Sequence, residues 1–414
     1  MSLDNEIPAG WTEEILVDCL DSLIDYRGKT PKKSSSGILT LSAKSVKMGY
    51  IDYNQAYYIS KETYKSFMVR GFPKVGDVLM TTEAPLGCIA RLDRDDVGIA
   101  QRLLTLRGKE NVLDNNYLRY YLTSRRGQHE LKSRASGSTV QGIKRTEFEK
   151  IEILFPKYEE QKAIANILTA FDDKIENLQA QNKTLEQTAQ TIFKEWFGKY
   201  QVGDELPDGW IVGELRDLTT KISKGTTPRK NDIEGLDKVI PFLKVKDISD
   251  NGLIDKNNLE LIPEEVHSKQ LKRSILESDD ILFSIAGTIG RVSIVDYELK
   301  NSNCNQALAF IRLKEVEKFK EYIHLWLKSN EIQNEITNNI VQGVQANVSL
   351  TVLGDLKIII PSNNKINEWK NLISPIYTKL DNNNLQIQSL KKTRDTLLPK
   401  LMRGSLRVEG FKEK

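Results

Sequence analysis

The chain repeats itself. The stretch IPAGW at residues 7–11 returns as LPDGW at residues 206–210, 199 residues later in a chain of 414. An internal duplication constrains a fold strongly, because whatever one copy builds the other must build as well. Further anchors follow in the same order. Gly28 and Pro31 in YRGKTPKK correspond to Gly225 and Pro228 in SKGTTPRK, 197 residues apart. GDVLMTTEAPLG (76–87) corresponds to DDILFSIAGTIG (279–290), with Asp77 over Asp280 and Gly87 over Gly290, at 203. Gln101 falls over Gln306, YLRYYLTSRRGQHEL (117–131) over YIHLWLKSNEIQNEI (322–336), and Pro156 over Pro361, all at 205. The offset changes only between anchors, as loops of different length require.

Within one copy, the short runs GDVLM, LLTLR and IEILF are rich in β-branched and aliphatic residues and predict strands. NNYLRYYLTSRRGQHELKS has apolar residues at helical spacing and predicts one helix. The copy is therefore mixed α/β. Gly28, Gly87 and Gly290, with Pro31, are read first as turn geometry, since glycine reaches positive φ and proline fixes it.

Each copy ends in a long heptad pattern. After Pro156 the seam positions run Ile164, Leu168, Phe171, Ile175, Leu178, Asn182, Leu185, Ala189, Ile192, Trp196. After Pro361 they run Trp369, Ile373, Ile376, Leu380, Asn383, Ile387, Leu390, Arg394, Leu397, Leu401. Steps of four and three make a coiled-coil seam. Pro375 and Pro399 predict a kink or an early end in the second helix. An antiparallel, flush pairing sets Trp196 against Trp369, Leu185 against Leu380, and Asn182 against Asn383, with Phe171 facing Arg394 as a weaker layer. A buried amide facing another amide fixes register, whereas a lone one is penalised. The predicted fold class is thus mixed α/β (α+β): two similar α/β units joined by two long antiparallel coiled-coil helices, pseudo-twofold and cyclic. The helix from 164 to 196 spans about 48 Å at 1.5 Å per residue. Two similar units on such a spacer suit a ligand with two separated sites, such as half-sites on one face of duplex DNA, which recur every ~34–36 Å.

Composition narrows the function classes. Hydrophobic residues make up 39% and charged residues 28%, ordinary for a globular chain. No apolar run approaches the roughly 18 residues of a membrane span. MSLDNEIPAG lacks the basic start and apolar core of a signal peptide. Cys19, Cys88 and Cys304 are odd in number and far apart, which predicts reduced thiols and a cytoplasmic protein. The histidines are His129, His267 and His324, and no Cys/His spacing predicts a metal site. Net charge is only +3, so any DNA-binding surface must be local or completed by a partner.

Taken together, the repeat, the paired helices and particular stretches resemble the DNA specificity subunit of type I restriction–modification enzymes. The resemblance covers nearly the whole chain. It is carried by GSTVQGIKRTEFEKIEILFPKYEEQKAIANIL (137–168), GDVLMTTEAPLG, GTIG with NQAL, and TLLPKLMRGSL (396–406). The second helix departs from the pattern, with PSNNKINEWK where the first has PKYEEQKAIA, so a required role for Glu160 and Gln161 is not implied. The resemblance implies target-recognition domains at 1–157 and 204–362, a central helix with linker at 158–203, and a C-terminal helix with tail at 363–414. It implies that each domain reads one half of a bipartite double-stranded DNA target. It implies a non-catalytic chain that docks two methyltransferase subunits, which use S-adenosylmethionine to methylate adenine N6. Two translocase–nuclease subunits using ATP and Mg complete the implied assembly. No cofactor is expected in this chain; neither a GxxxxGK[ST] loop nor an Asn/Asp-Pro-Pro-aromatic methyltransferase signature occurs.

Residues shared by the two copies cannot tell two different half-sites apart, so base readout is expected where the copies differ. One difference is TEAPLG against IAGTIG. Another is the basic loop: Lys29, Lys32, Lys33, Lys44 and Lys47 in the first copy; Lys224, Arg229, Lys230, Lys244 and Lys246 in the second. These are the candidate phosphate or base contacts, with a solvated basic loop as the plain alternative. Two other functions compete: a nuclease or methyltransferase with built-in specificity, which lacks a catalytic motif, and a repeat-built protein-binding scaffold without DNA selectivity.

Overall fold

The computed structural model describes residues 7–408 other than 27, 29, 138 and 343–346, without the side chains of 230, 257 and 339–342. The chain divides into two compact units, Met1–Gln179 with Leu385–Lys414, and Ala180–Asn384.

In the first unit, Thr12–Ile15 pairs antiparallel with Glu152–Phe155. A four-stranded antiparallel sheet follows in the order Leu20–Asp25, Leu103–Gly108, Val78–Thr81, Ile89–Arg91. A smaller sheet holds Lys33–Ser34, Tyr57–Ile59, Ile38–Leu41 and Val97–Ile99, the last pairing parallel. Side chains alternate across a strand, and both faces here are apolar. Val78, Met80, Leu104 and Leu106 pack with Tyr117, Leu118 and Tyr121 of the covering helices. Leu79, Ala90 and Leu103 face the other way, against Leu41, Val97 and Ile99 of the smaller sheet.

The second unit repeats this plan. Ile211–Glu214 pairs with Lys357–Ile360, and the main sheet runs Thr219–Lys224, Leu308–Leu313, Ile281–Ser284, Val292–Ile294. Its smaller sheet has Glu260–Pro263, Lys238–Leu243 and Asn303–Cys304, again with one parallel pair.

The single helix predicted from 115 to 133 is two helices, Asn115–Thr123 and Arg125–Ser133. Ser124 breaks it: its side chain accepts from the Gly127 amide and caps the second helix. A Cβ on Gly127 would lie 2.2 Å from the Tyr121 carbonyl, so glycine lets the helices approach this closely. In the second copy the break between Val316–Leu327 and Asn330–Gln342 falls at the matching Ser329.

The long helices are Tyr158–Phe197 and Asn363–Met402. The second runs through Pro375 and Pro399 rather than ending there. Each proline removes one main-chain donor at about 3 kcal/mol, which the buried seam of a helix this long offsets. In the first unit Ile164 and Leu168 share the core with Leu397 and Leu401, and Ile175 and Leu178 pack on Ile387 and Leu390. Arg394 meets Asp172 (Nη1 to Oδ1, 2.7 Å), which also accepts from Arg119 Nη2 at 2.9 Å and the Tyr120 hydroxyl at 2.6 Å. That network gives the polar seam residue Arg394 a partner.

In the second unit Trp369 does not meet Trp196 ring to ring. It takes Phe193 and Phe197 at centroid distances of 6.1 and 5.4 Å, with Tyr322 edge-on at 5.8 Å, while Lys365 Nζ sits 4.1 Å over the Trp196 ring. A knob enters a hole between turns rather than meeting its counterpart head-on. Asn182 accepts from Asn383 Nδ2 at 2.8 Å and donates to Asn384 Oδ1 at 2.7 Å. Asn182 and Asn383 are 2% and 1% exposed.

The repeated tryptophans close each unit onto a helix end. Trp210 packs on Phe197 and Tyr200, centroids 5.8 and 4.9 Å away. Trp11 lies against Gly404, just past the end of the other long helix; a Cβ there would sit 3.2 Å from its ring and 2.7 Å from Pro8. Arg407 reinforces this join, bonding Glu160 bidentately at 2.7 and 2.8 Å and the Ala9 carbonyl at 2.8 Å.

Candidate nucleic-acid interface

The anchors shared by the copies are scaffold. Arg107 grips buried Asp77 with two bonds of 2.7 Å, and Arg312 grips buried Asp280 with two of 2.8 Å. Each aspartate also accepts a main-chain amide three residues earlier, Lys74 or Glu277, at 2.8 Å. The loops TEAPLG and IAGTIG are closed identically. Thr81 Oγ1 donates to the Pro85 carbonyl and accepts from the Cys88 amide; Ser284 Oγ donates to the Thr288 carbonyl and accepts from the Arg291 amide. Gln128 Nε2 donates to the carbonyls of Gly87 and Leu122, and Gln333 Nε2 to those of Gly290 and Leu327. Gly87 and Gly290 sit at φ +81° and +93°, which explains the glycines. Tyr117 and Tyr322 hydroxyls donate to the matching carbonyls of Leu154 and Ile359. Gln161 is fully buried and bonds Val112, Pro156 and Asp114, a structural role.

The variable loops carry the candidate contacts. Lys32 and Lys33 are exposed, and Lys33 Nζ lies 4.8 Å from the Tyr57 ring. Lys44 is exposed and Lys47 half-buried; neither side chain has a polar partner among the described residues. Lys47 enters a tight turn bounded by the Val46–Ile51 bridge, which presents Met48 and Tyr50 at 46% and 61% exposure. In the second unit the turn inside the Ile248–Ile254 bridge presents Asp250, held to Arg291 Nη2 at 2.5 Å, and Asn251. Lys224, Arg229 and Lys246 are exposed. Lys244 is half-buried and forms an ion pair with Glu260. Lys29 lies outside the described residues, as does the Lys230 side chain.

The positions that sequence reasoning missed border a cleft of about 400 Å³ in the first unit, lined by Gly28, Glu83, Gln101, Arg102, Gly142 and Lys144 among others. Arg102 holds φ +68° without being glycine, and its Nε contacts Glu83 Oε1 at 2.5 Å. The signal was present in the sequence: the residue after the anchor glutamine is Arg102 in one copy and Ala307 in the other.

No group of three or more His, Cys, Asp or Glu among the described residues could hold a metal. Burial pushes the Cys19 and Cys304 thiols up to about 12, so neither is a nucleophile near neutral pH. No helix among the described residues is long and apolar enough to cross a membrane.

Comparison with known proteins bears on these observations. Residues 19–187 and 207–394 match the family described as type I restriction modification DNA specificity domain. The chain is 30% identical over 366 residues to the type I restriction enzyme MjaIX specificity subunit of Methanocaldococcus jannaschii, covering 85% of this chain and 82% of that one. It is 23% identical over 386 residues to the HindI specificity subunit of Haemophilus influenzae, covering 76% and 82%. The crystal structure of a type I restriction–modification S subunit from M. genitalium shares the fold, with a TM-score of 0.57 at 18% identity over 97% of this chain and 98% of that one.

Proposed function

Because the chain belongs to the type I restriction–modification DNA specificity family, we propose that it is the non-catalytic, cytoplasmic component that selects a bipartite duplex DNA target. Residues 1–157 read one half and residues 204–362 the other. The helices at 158–203 and 363–414 set the spacer and dock two methyltransferase subunits, whose S-adenosylmethionine methylates adenine N6. Where present, two translocase–nuclease subunits bring ATP and Mg. Base pairs are distinguished by side chains reaching major-groove edges, while phosphate contacts position the reader.

The observation that carries this reading is the contrast within the repeat. The two copies keep the same Asp–Arg grip, hydroxyl-closed loop and glutamine clamp, yet differ in the side chains those loops present. A scaffold for one protein partner has no reason to hold two frames alike and vary the side chains their loops present. With +3 net charge, the isolated chain attracts DNA weakly and partners complete the surface. The test is to co-express the chain with its methyltransferase subunits and map methylated adenines across a genome. A single two-part motif with a fixed spacer is expected; methylation or protection without sequence selectivity would favour the scaffold function.

A further inference from the structure

Backbone bonds place two positions in exact correspondence between the units. The Thr82 amide donates to the Arg102 carbonyl and the Ile143 amide to the Thr82 carbonyl, at 3.0 Å each. In the second unit the Ile285 amide donates to the Ala307 carbonyl at 2.8 Å and the Val348 amide to the Ile285 carbonyl at 3.0 Å. Residues 83 and 286 therefore occupy one position, and 102 and 307 another. The first unit fills them with Glu83 and Arg102, the second with Ala286 and Ala307. Both change together, from an ion pair to two methyl groups, on an otherwise retained frame.

Resting on the proposed function, we infer that Glu83 and Arg102 are specificity-determining residues that read a G·C pair in the half-site of the first unit. The equivalent alanines of the second unit offer apolar contact, suited to a thymine methyl. Several observations support this. The pair lies at an open cleft lined also by Gly28, Gln101 and Lys144, not in the core. Glu83 is 41% and Arg102 50% exposed at the side chain, so the pair adds little stability of its own. Arg102 nonetheless holds a left-handed backbone conformation, a strain that persists where function needs it. Arginine binds O6 and N7 of guanine with two donors, and a carboxylate accepts from the cytosine N4 amino group, so one Glu–Arg pair matches one G·C pair. In the free protein each group satisfies the other, and DNA exchanges that contact for two base contacts.

The test uses the chain assembled with its methyltransferase subunits and methylation mapping as the readout. Arg102→Ala should lower discrimination at one G·C position by about tenfold or more. Glu83→Ala with Arg102→Ala should relax that position, leaving the other half-site and the spacer unchanged. Ala286→Glu with Ala307→Arg should impose a new G·C requirement in the second half-site. An unchanged motif from assembled variants would overturn the inference, as would loss of all methylation with no shift in the reciprocal variant. A wild-type complex that methylates no bipartite sequence would instead overturn the proposed function, so the two failures are distinguishable.

Discussion

Replacing Asn182 with leucine isolates the amide layer between the long helices. The substitution removes two hydrogen bonds, from Asn383 Nδ2 and to Asn384 Oδ1. Asn383 is 1% exposed, so its amide is left unpaired in the seam, a loss of about 1–3 kcal/mol. Asn384 is half-buried and turns toward water, adding little. The leucine gains back part of the deficit by burying methyl groups, at about 0.8 kcal/mol per CH₂. Asn182→Leu should therefore destabilise the protein by about 2 kcal/mol, and Asn383→Leu by a similar amount for the same reason. The double variant leaves no buried amide unpaired and should lose about 1 kcal/mol, giving a coupling of about 3 kcal/mol. Urea unfolding of all four proteins, followed by the fluorescence of buried Trp369, closes the cycle. A double variant showing the sum of the single losses would refute the Asn182–Asn383 pairing and the register argument built on it.

Other outcomes follow from the same structure. Asp172→Ala leaves Arg119, only 9% exposed, and Arg394 without their shared carboxylate, and should destabilise by about 3 kcal/mol in urea; a loss under 1 kcal/mol would mean water replaces the carboxylate. Inserting one heptad in each long helix lengthens it by about 10 Å, so the mapped spacer should grow by about three base pairs of ~3.4 Å; an unchanged spacer would contradict a ruler role. Joining Lys414 to Met1 and opening the chain near Gly203 should preserve the methylated motif, because Arg407 and Gly404 already pack on Ala9, Pro8 and Trp11; a folded permutant with a different motif would count against it. Burial lowers the His324 imidazole, bonded to the Tyr377 hydroxyl and flanked by Lys328, to about 3. The folded state thus binds fewer protons than the unfolded chain below about pH 6.5. Stability present above pH 6.5 should fall as the pH drops toward 3, and His324→Gln should flatten the decline by on the order of 1–3 kcal/mol at pH 4. Identical acid profiles would contradict the burial argument.

The repeat was the most legible feature, because an anchor such as Asp77 over Asp280 is held by the same bidentate arginine in both copies. Strand runs and the heptad seam were legible for the same reason: burial imposes a period. The break at Ser124 was not, since serine sits in helices and caps alike, and only the close approach at Gly127 decides between them. Nor was the Trp369 layer, because periodicity gives the facing stripe but not which hole a ring enters. The candidate interface was legible only as loops. Listing lysines by proximity in sequence could not reveal that Lys244 is engaged by Glu260, or that Glu83 and Arg102, nineteen positions apart, meet.

The glutamine and hydroxyl clamps on the two tip loops have a consequence for inheritance. Every bond they make to the loop ends on a main-chain carbonyl or amide: Pro85, Gly87 and Cys88 in one copy, Thr288, Gly290 and Arg291 in the other. Exposed residues of the loop, such as Glu83, can be exchanged without loosening what holds it. Under the proposed function, folding and target choice are thereby written in separate letters of one short stretch, and point changes at the exposed letters would alter the DNA sequence read at little cost in stability.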